Sequence, residues 1–236
     1  MSGRLLTLAA FAGVAVGAGA LGAAAVMVAR PAGGGVDAAA VRQALIDNPE
    51  IIPEALAKLQ QRQVAGAIDA ARTELETPFA GAWIGAREPA VTLVQFYDYA
   101  CAYCRASLPV VQRLVREDPT LRVVFREFPV LGEASVEAAR ASIAAAGAGK
   151  FPAFHDALYA AGRPSGATID ATAARIGTPA GDGRADAEIA KNYRLAQSLG
   201  INSTPTWVVG DQLLAGAVGY EALKSAIEDA KAAGRT

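Results

Sequence analysis

The sequence is poor in the side chains that build metal sites and disulfide frameworks. Its 236 residues include two cysteines and one histidine. One chain therefore cannot assemble a structural zinc site of four cysteines, or of two cysteines and two histidines, and a disulfide-dense scaffold is excluded as well. An excess of one charge is also lacking, because 22 basic residues face 23 acidic ones. Binding to nucleic acid is therefore not expected.

Apolar sequence is abundant, at 53% of the chain, but only 6% is aromatic. Alanine-rich runs account for much of this excess, and alanine favours helix while it buries little area. We expect a helix-rich protein with one globular domain and accessory segments.

The amino terminus carries a run without charge over residues 5–29, between Arg4 and Arg30. At 1.5 Å per residue, this run can cross a bilayer core of about 30 Å. Ala23 and Ala25 also offer a small-x-small cleavage site. The sequence thus predicts a transmembrane anchor or a signal peptide over 1–30, with export of the rest to the periplasm or cell envelope. A buried Ala/Gly helix in a soluble domain is the alternative.

A Pro/Gly linker at 31–35 precedes a helical segment predicted over 36–77. Its first helix stops at Asn48, and Asn48 with Pro49 is predicted to begin a second that continues to residue 76. Apolar side chains recur along this second helix at mostly three- to five-residue steps: Ile52, Leu56, Leu59, Val64, Ile68 and Leu75. Such a stripe needs a cover, which is either the chain's own domain or other copies of the chain.

Residues 78–236 predict an α/β domain. Two strands, 91–97 and 121–128, flank a helix at 108–117, and a connection of this length predicts that the strands are parallel. The other predicted elements are a short strand at 82–84, four helices between about 133 and 200, a hairpin of 206–209 with 212–215, and a helix at 220–233.

Both cysteines occur as Cys101-Ala102-Tyr103-Cys104, directly after a predicted strand and at the start of a helix. A helix N-terminus stabilises a thiolate and lowers a cysteine pKa from about 8.5 to between about 3.5 and 7.5. Cys101 is the predicted nucleophile, because it is the more N-terminal of the two, and Cys104 is the predicted resolving thiol.

Other uses of the pair can be compared. Haem attachment is excluded, because Arg105 stands where histidine is needed. A structural disulfide that closes so short a loop would restrict the unfolded chain little. Binding of Cu(I) by the two thiolates stays open, with His155 as a conceivable third ligand. The alternative for His155 is a hydrogen-bonded helix residue. No cofactor or resident metal is predicted.

The stretch from Phe96 to Arg105 resembles the active site of DsbA-like thiol-disulfide oxidoreductases. Gly200 to Trp207 is similar to their second motif, a threonine followed by a cis-proline. The resemblance covers about residues 78–233. It implies a thioredoxin-like fold with a helical insert at about 133–200, and substrate binding by Thr204 and Pro205.

Asp98 and the two residues between the cysteines bear on the predicted chemistry. Asp98 is a candidate proton relay to Cys104, or else a solvated acid at the end of a strand. The dipeptide Ala102-Tyr103 departs from the Pro-His of strongly oxidising DsbA, so an extreme oxidant is not expected.

Residues 41–56 resemble a narrower group, the N-terminal region of ScsC-like, copper-tolerance-associated members, whose helices drive oligomerisation. This implies a homo-oligomer joined through 36–76 and, since oligomeric members tend to be isomerases or reductases, an isomerase or reductase function. The alternatives are a dedicated disulfide oxidase of the same fold and an envelope Cu(I)-binding protein. The implied partners are exported proteins with cysteines or disulfides and a membrane redox partner that recycles the cysteine pair.

Overall fold

The computed structural model describes residues 37–179 and 183–234. The predicted anchor or signal peptide at 1–30 and the linker at 31–35 lie outside these residues. No helix within the described ranges is both long and apolar enough to cross a membrane.

Eight helices and five strands form the described part of the chain. The helices are α1 (Ala38–Asp47), α2 (Ile51–Glu76), α3 (Ala102–Glu117), α4 (Glu133–Gly147), α5 (Phe151–Ala160), α6 (Gly166–Ile176), α7 (Gly183–Ser198) and α8 (Tyr220–Ala232). The strands are β1 (Trp83–Gly85), β2 (Val91–Tyr97), β3 (Leu121–Glu127), β4 (Thr206–Val209) and β5 (Gln212–Ala215).

The junction between the first two helices differs from the prediction. Asn48 does not cap α2, because its backbone N–H and its side-chain amide both donate to the Ala44 carbonyl and close the end of α1. Pro49 consequently lies in a turn, and α2 begins at Ile51. The predicted start of the second helix, with Asn48 as its cap and Pro49 as its first residue, is therefore two residues too early.

The strands form one sheet in the order β1-β3-β2-β4-β5. The two central strands are parallel, with pairs running from Val91 opposite Leu121 to Tyr97 opposite Glu127, and the other neighbours are antiparallel. The predicted parallel pair is confirmed. Helices α4 to α7 enter the chain between β3 and β4, so the sheet resumes after a helical insert. This is the thioredoxin-like mixed α/β architecture that the sequence predicts.

Helices cover both faces of the sheet, because successive strand residues point to opposite sides. On one face, Val94 and Phe96 pack in a core with Ile68 and Leu75 of α2 and Leu195 of α7. A second core on the other face includes side chains from β2, β3, α3, α5 and α8.

Helix α2 changes environment along its length. Residues 37–63 are all exposed, whereas Ile68 and Leu75 are each 1% exposed. The chain divides into two compact units between Ala55 and Leu56, well before the predicted boundary at 77/78. The reason is that the second half of α2 covers a face of the sheet. In the second half of α2, the apolar stripe is therefore buried against the chain's own domain and not against other copies of the chain.

Candidate active site

Cys101 lies at the N-terminus of α3, where the chain leaves the central strand β2. It occupies the N-cap position, and its N–H donates to the Asp98 carbonyl at 3.1 Å. The Cys104 N–H, which has no partner within the helix, donates to the Cys101 sulfur at 3.2 Å. The sulfur therefore faces the positive end of the helix, which stabilises a thiolate.

The loop before β4 approaches the same sulfur. A protonated Cys101 donates to the Thr204 carbonyl at 3.4 Å, and the Thr204–Pro205 peptide bond is cis. Two hydrogen bonds hold this loop, one from Thr206 Oγ1 to the Ser203 carbonyl at 2.8 Å and one from the Gly216 N–H to the Pro205 carbonyl at 2.8 Å. The fold thus brings Thr204 and Pro205 beside Cys101, although about a hundred residues separate them in sequence.

The two thiols have opposite electrostatic environments, and both are free. The hydrogen bond from the Cys104 side chain, assisted by Thr204 and backbone N–H groups and opposed by burial, lowers the pKa of Cys101 to about 6. Burial, together with the hydrogen bond to Cys101, raises the pKa of Cys104 far above its ordinary value. The pair can therefore hold one thiolate, on Cys101, beside one thiol, on Cys104.

Asp98 is buried, at 1% exposure, and its carboxylate accepts three hydrogen bonds from backbone N–H groups. Oδ1 accepts the Ala100 N–H at 2.7 Å, and Oδ2 accepts the N–H groups of Val130 and Leu131 at 2.8 and 2.9 Å. The alternative of a solvated acid at the end of the strand is therefore wrong. The proton-relay role stays a prediction.

A buried polar network beside the cysteines was missed by the sequence reasoning. Tyr97 at the end of β2 donates to Glu127, its neighbour on β3, and burial raises the pKa of Glu127 to about 8. The Tyr99 hydroxyl bonds to Ser142 Oγ at 2.9 Å and to His155 Nδ1 at 3.0 Å. The network joins the sheet to the insert. Polar residues that end adjacent parallel strands are the signal that could have revealed it.

His155 belongs to this network through the hydrogen bond with Tyr99. Burial lowers its pKa to about 3, so the imidazole is neutral, and it packs against the rings of Tyr97, Phe125 and Phe151. The described residues contain no group of three or more His, Cys, Asp or Glu side chains that could hold a metal ion. The copper site with His155 as third ligand is therefore not formed by them.

Arg126 links the second half of α2 to the sheet and the insert. It is 1% exposed, and its guanidinium donates to the carbonyls of Leu75 and Thr77 at the end of α2, at 3.2 and 2.6 Å. It also pairs with Glu188 of α7 at 3.1 Å. The carbonyl end of a helix attracts a cation, so Arg126 stabilises this attachment.

Comparison with known proteins identifies the family to which this fold belongs. Residues 79–229 match the Thioredoxin family. The chain belongs to the thioredoxin family. Residues 38–65 match a second family, the Copper resistance protein ScsC N-terminal domain. The chain thus combines a thioredoxin-family domain, of the thiol-disulfide oxidoreductase type found in ScsC, with an ScsC-type N-terminal segment.

Solved structures of two similar proteins cover most of this chain. A linker-deletion mutant of Proteus mirabilis ScsC superposes with a TM-score of 0.71 at 28% identity, over 83% of this chain and 93% of that one. A periplasmic thioredoxin-like protein from Salmonella enterica serovar Typhimurium gives a TM-score of 0.65 at 29% identity, over 69% and 97%.

A curated relative is much longer than this chain. The Na(+)/H(+) antiporter NhaA 3 of Salinispora tropica is 31% identical over 161 residues, which are 64% of this chain and 25% of the antiporter. The chain thus spans about a quarter of the length of the curated relatives it matches. The likeness concerns that quarter alone.

Proposed function

We propose that this oxidoreductase works in the periplasm as a disulfide isomerase or reductase, with Cys101 as nucleophile and Cys104 as resolving thiol. The observation that carries the proposal is the pair of environments at the helix N-terminus, a Cys101 pKa of about 6 beside a buried Cys104 whose pKa is raised. Only a thiolate attacks a disulfide, and at neutral pH Cys101 is mostly thiolate.

In the first step, the Cys101 thiolate attacks one sulfur of a client disulfide. The client S–S bond breaks, its electron pair leaves with the second client sulfur, and a Cys101–client disulfide forms. We assign Thr204 and Pro205 to client binding here, because their loop presents a carbonyl to the Cys101 sulfur at 3.4 Å. An extended client segment can pair with such backbone groups.

Two outcomes follow from the mixed disulfide. In isomerisation, another client thiolate attacks the client sulfur, forms a new client disulfide and releases the Cys101 thiolate without net oxidation. In reduction, Cys104 passes its proton to the departed client thiolate, and its sulfur attacks the Cys101 sulfur. The Cys101–client bond breaks, and its electron pair leaves with the client sulfur as a second client thiolate. Two electrons then reach the client, and the Cys101–Cys104 disulfide must be reduced again by a membrane redox partner.

The Cys101 pKa also favours an intermediate redox strength. A pKa of about 6 falls between the values of about 7 for thioredoxin and about 3.5 for DsbA. Because a more stable thiolate makes the disulfide more oxidising, a reduction potential between about −270 and −120 mV is expected. The same depressed pKa is what favours the second candidate function, a disulfide oxidase.

Self-association through the N-terminal helices is part of the proposal. Helix α1 exposes Val41, Leu45 and Ile46, and the first half of α2 exposes Ile52, Leu56 and Leu59 at 50 to 55%. Apolar side chains in such number are unusual on a monomer's surface and are typical of interfaces. The match to the ScsC N-terminal domain over residues 38–65 supports the same proposal. Periplasmic location is supported by the uncharged run at 5–29 and by the relative from Salmonella described as periplasmic.

The deciding experiment is the reactivation of scrambled ribonuclease A, together with the reduction potential of the pair by thiol trapping in glutathione buffers. An isomerase restores ribonuclease activity, and the reduction potential of its cysteine pair is about −180 mV. If reduced ribonuclease gains disulfides but scrambled ribonuclease is not corrected, the oxidase function replaces the proposal. A pair that retains Cu(I) and undergoes no thiol exchange would support a copper carrier.

Single serine variants give the matched controls for that experiment. Cys104→Ser is expected to accumulate the mixed disulfide with ribonuclease, because the resolving thiol is gone. Cys101→Ser is expected to form none. Client adducts in the Cys101→Ser variant would overturn the assignment of the nucleophile.

A further inference from the structure

Large apolar side chains are exposed at few places after residue 63. Within the described part of the chain they are Tyr103, Val130, Leu131 and Tyr193, at 37 to 68% exposure. Tyr103 lies between the two cysteines, and Val130 and Leu131 belong to the segment between β3 and α4. Exposed apolar groups next to a reactive centre suit contact with polypeptide substrates.

Asp98 joins this segment to the nucleophile. Its Oδ2 accepts the N–H groups of Val130 and Leu131 at 2.8 and 2.9 Å, while its backbone carbonyl accepts the Cys101 N–H at 3.1 Å. The same carbonyl accepts the Tyr159 hydroxyl at 3.2 Å. One residue thus fixes the Cys101 backbone and the exposed Val130–Leu131 backbone with respect to each other.

A residue of the helical insert also holds this segment by a hydrogen bond. The Tyr193 hydroxyl of α7 donates to the Pro129 carbonyl at 2.5 Å, and its ring packs on Phe128 at 5.2 Å. Phe128 and Tyr193 also line an open groove of about 430 Å³ that continues to Ile201 and Asn202. The groove thus extends from Phe128, two residues before Val130, to Asn202, two residues before Thr204.

We propose that Asp98 is a positioning residue that holds Val130 and Leu131 as a client-contact segment beside Cys101. This rests on the proposed thiol-disulfide exchange and adds the substrate class, polypeptides that present apolar side chains next to the exchanging cysteine. The Asp98 carboxylate accepts three backbone N–H groups, and two of them belong to Val130 and Leu131. These hydrogen bonds fix the backbone of the exposed segment. Loss of those bonds affects clients that touch residues 130 and 131 and spares small disulfides that touch only the sulfur.

The test compares two substrates on the full chain. Asp98→Asn keeps the size of the side chain but replaces one acceptor oxygen by a donor. The expected result is a KM for scrambled ribonuclease A raised by about tenfold, as for the loss of charge-assisted hydrogen bonds. The rate with oxidised glutathione should change by a smaller factor, and exchange of the Val130 and Leu131 amide hydrogens should become faster. Asp118→Asn, at the far end of α3, is the matched control.

Other outcomes overturn the inference. If Asp98→Asn slows both substrates by the same factor and changes the pH profile of Cys104 release, Asp98 is a proton relay. If neither substrate reacts with the unaltered protein, the proposed function itself fails.

Two further variants decide the question even if Asp98→Asn does not fold. Leu131→Ser removes an apolar contact, and Tyr193→Phe removes the bond to Pro129, while both leave the Asp98 carboxylate intact. Each should raise the KM for ribonuclease and leave the glutathione rate unchanged. Unchanged KM values in both would contradict the client-contact role.

Discussion

The N-terminal helices and the surface around Cys101 both expose large apolar side chains, but they hold them differently. Ile52, Leu56 and Leu59 protrude at helical spacing from α2, whose backbone hydrogen bonds are internal to the helix. Val130 and Leu131 lie in a loop whose amides are bound by the buried Asp98 carboxylate. The apolar side chains of the helix repeat along its length, whereas those of the loop lie on one short backbone segment that hydrogen bonds hold in place.

This difference indicates two kinds of binding. A repeated apolar stripe matches other copies of itself and suits lasting burial, since permanent interfaces are large and apolar. A small rigid surface next to a nucleophile suits clients that bind and leave, because contacts of limited area dissociate readily.

The largest expected effect comes from placing charge on the helical stripe. The double substitution Ile52→Glu with Leu56→Glu should convert the proposed oligomer into a monomer, because carboxylates would have to be buried in the interface. Sedimentation velocity measures the change, and the reaction of each Cys101 with oxidised glutathione should not alter. Gln61→Glu adds a charge on the opposite side of the same helix and should leave the self-association intact. An unchanged sedimentation coefficient in the double variant would end the stripe proposal.

A second prediction contrasts the two halves of α2. Ile68 is 1% exposed and packs in the core, whereas Leu59 is 51% exposed. In the background of the charged double variant, Ile68→Ala should lower the free energy of unfolding by about 2 to 4 kcal/mol, and Leu59→Ala by no more than about 0.5 kcal/mol. Urea denaturation measures both. Equal losses would show that the second half of α2 does not belong to the catalytic core.

The smallest predicted effect is that pH changes the reactivity of Cys101 but not the self-association of the N-terminal helices. The pKa of Cys101 is about 6, so its thiolate is present above that pH and is lost as the pH falls through it. Alkylation of the reduced protein by iodoacetamide should be half-maximal near pH 6 and fall about tenfold for each further unit of acid. Cys104 should stay unmodified, and the sedimentation coefficient should not follow the alkylation curve. A midpoint above pH 8 would contradict the proposed stabilisation of the thiolate.

Local pattern was enough to predict much of the fold. The near-continuous apolar run at 91–97 and the alternating stretch at 121–128 predicted two strands, and the connection between them predicted the parallel pairing that the structure confirms. The cysteine pair was predicted at the N-terminus of a helix, and Cys101 is the N-cap of α3. That helix was predicted to start only at Leu108, and its first turns contain the cysteines and continue through Pro109.

Long-range partners explain what pattern could not supply. Arg126 and Glu127 lie in an alternating stretch of β3, yet both are buried, because the end of α2 covers one and the insert covers the other. The hydrogen bonds of Asp98 depend on a segment more than thirty residues away. Neither partner is visible in the local sequence, since the fold alone brings them together.

The packing of α2 also defines a place for protein engineering. Residues 37–63 are exposed, and Ile68 and Leu75 pack in the core beneath the sheet. A foreign coiled coil of chosen valency could therefore replace residues up to about 60 and continue in helical phase into α2. Such chimeras would carry two, three or four identical redox sites on exchangeable coiled coils. They would show how the number of sites determines whether a client disulfide is isomerised or a new one is formed.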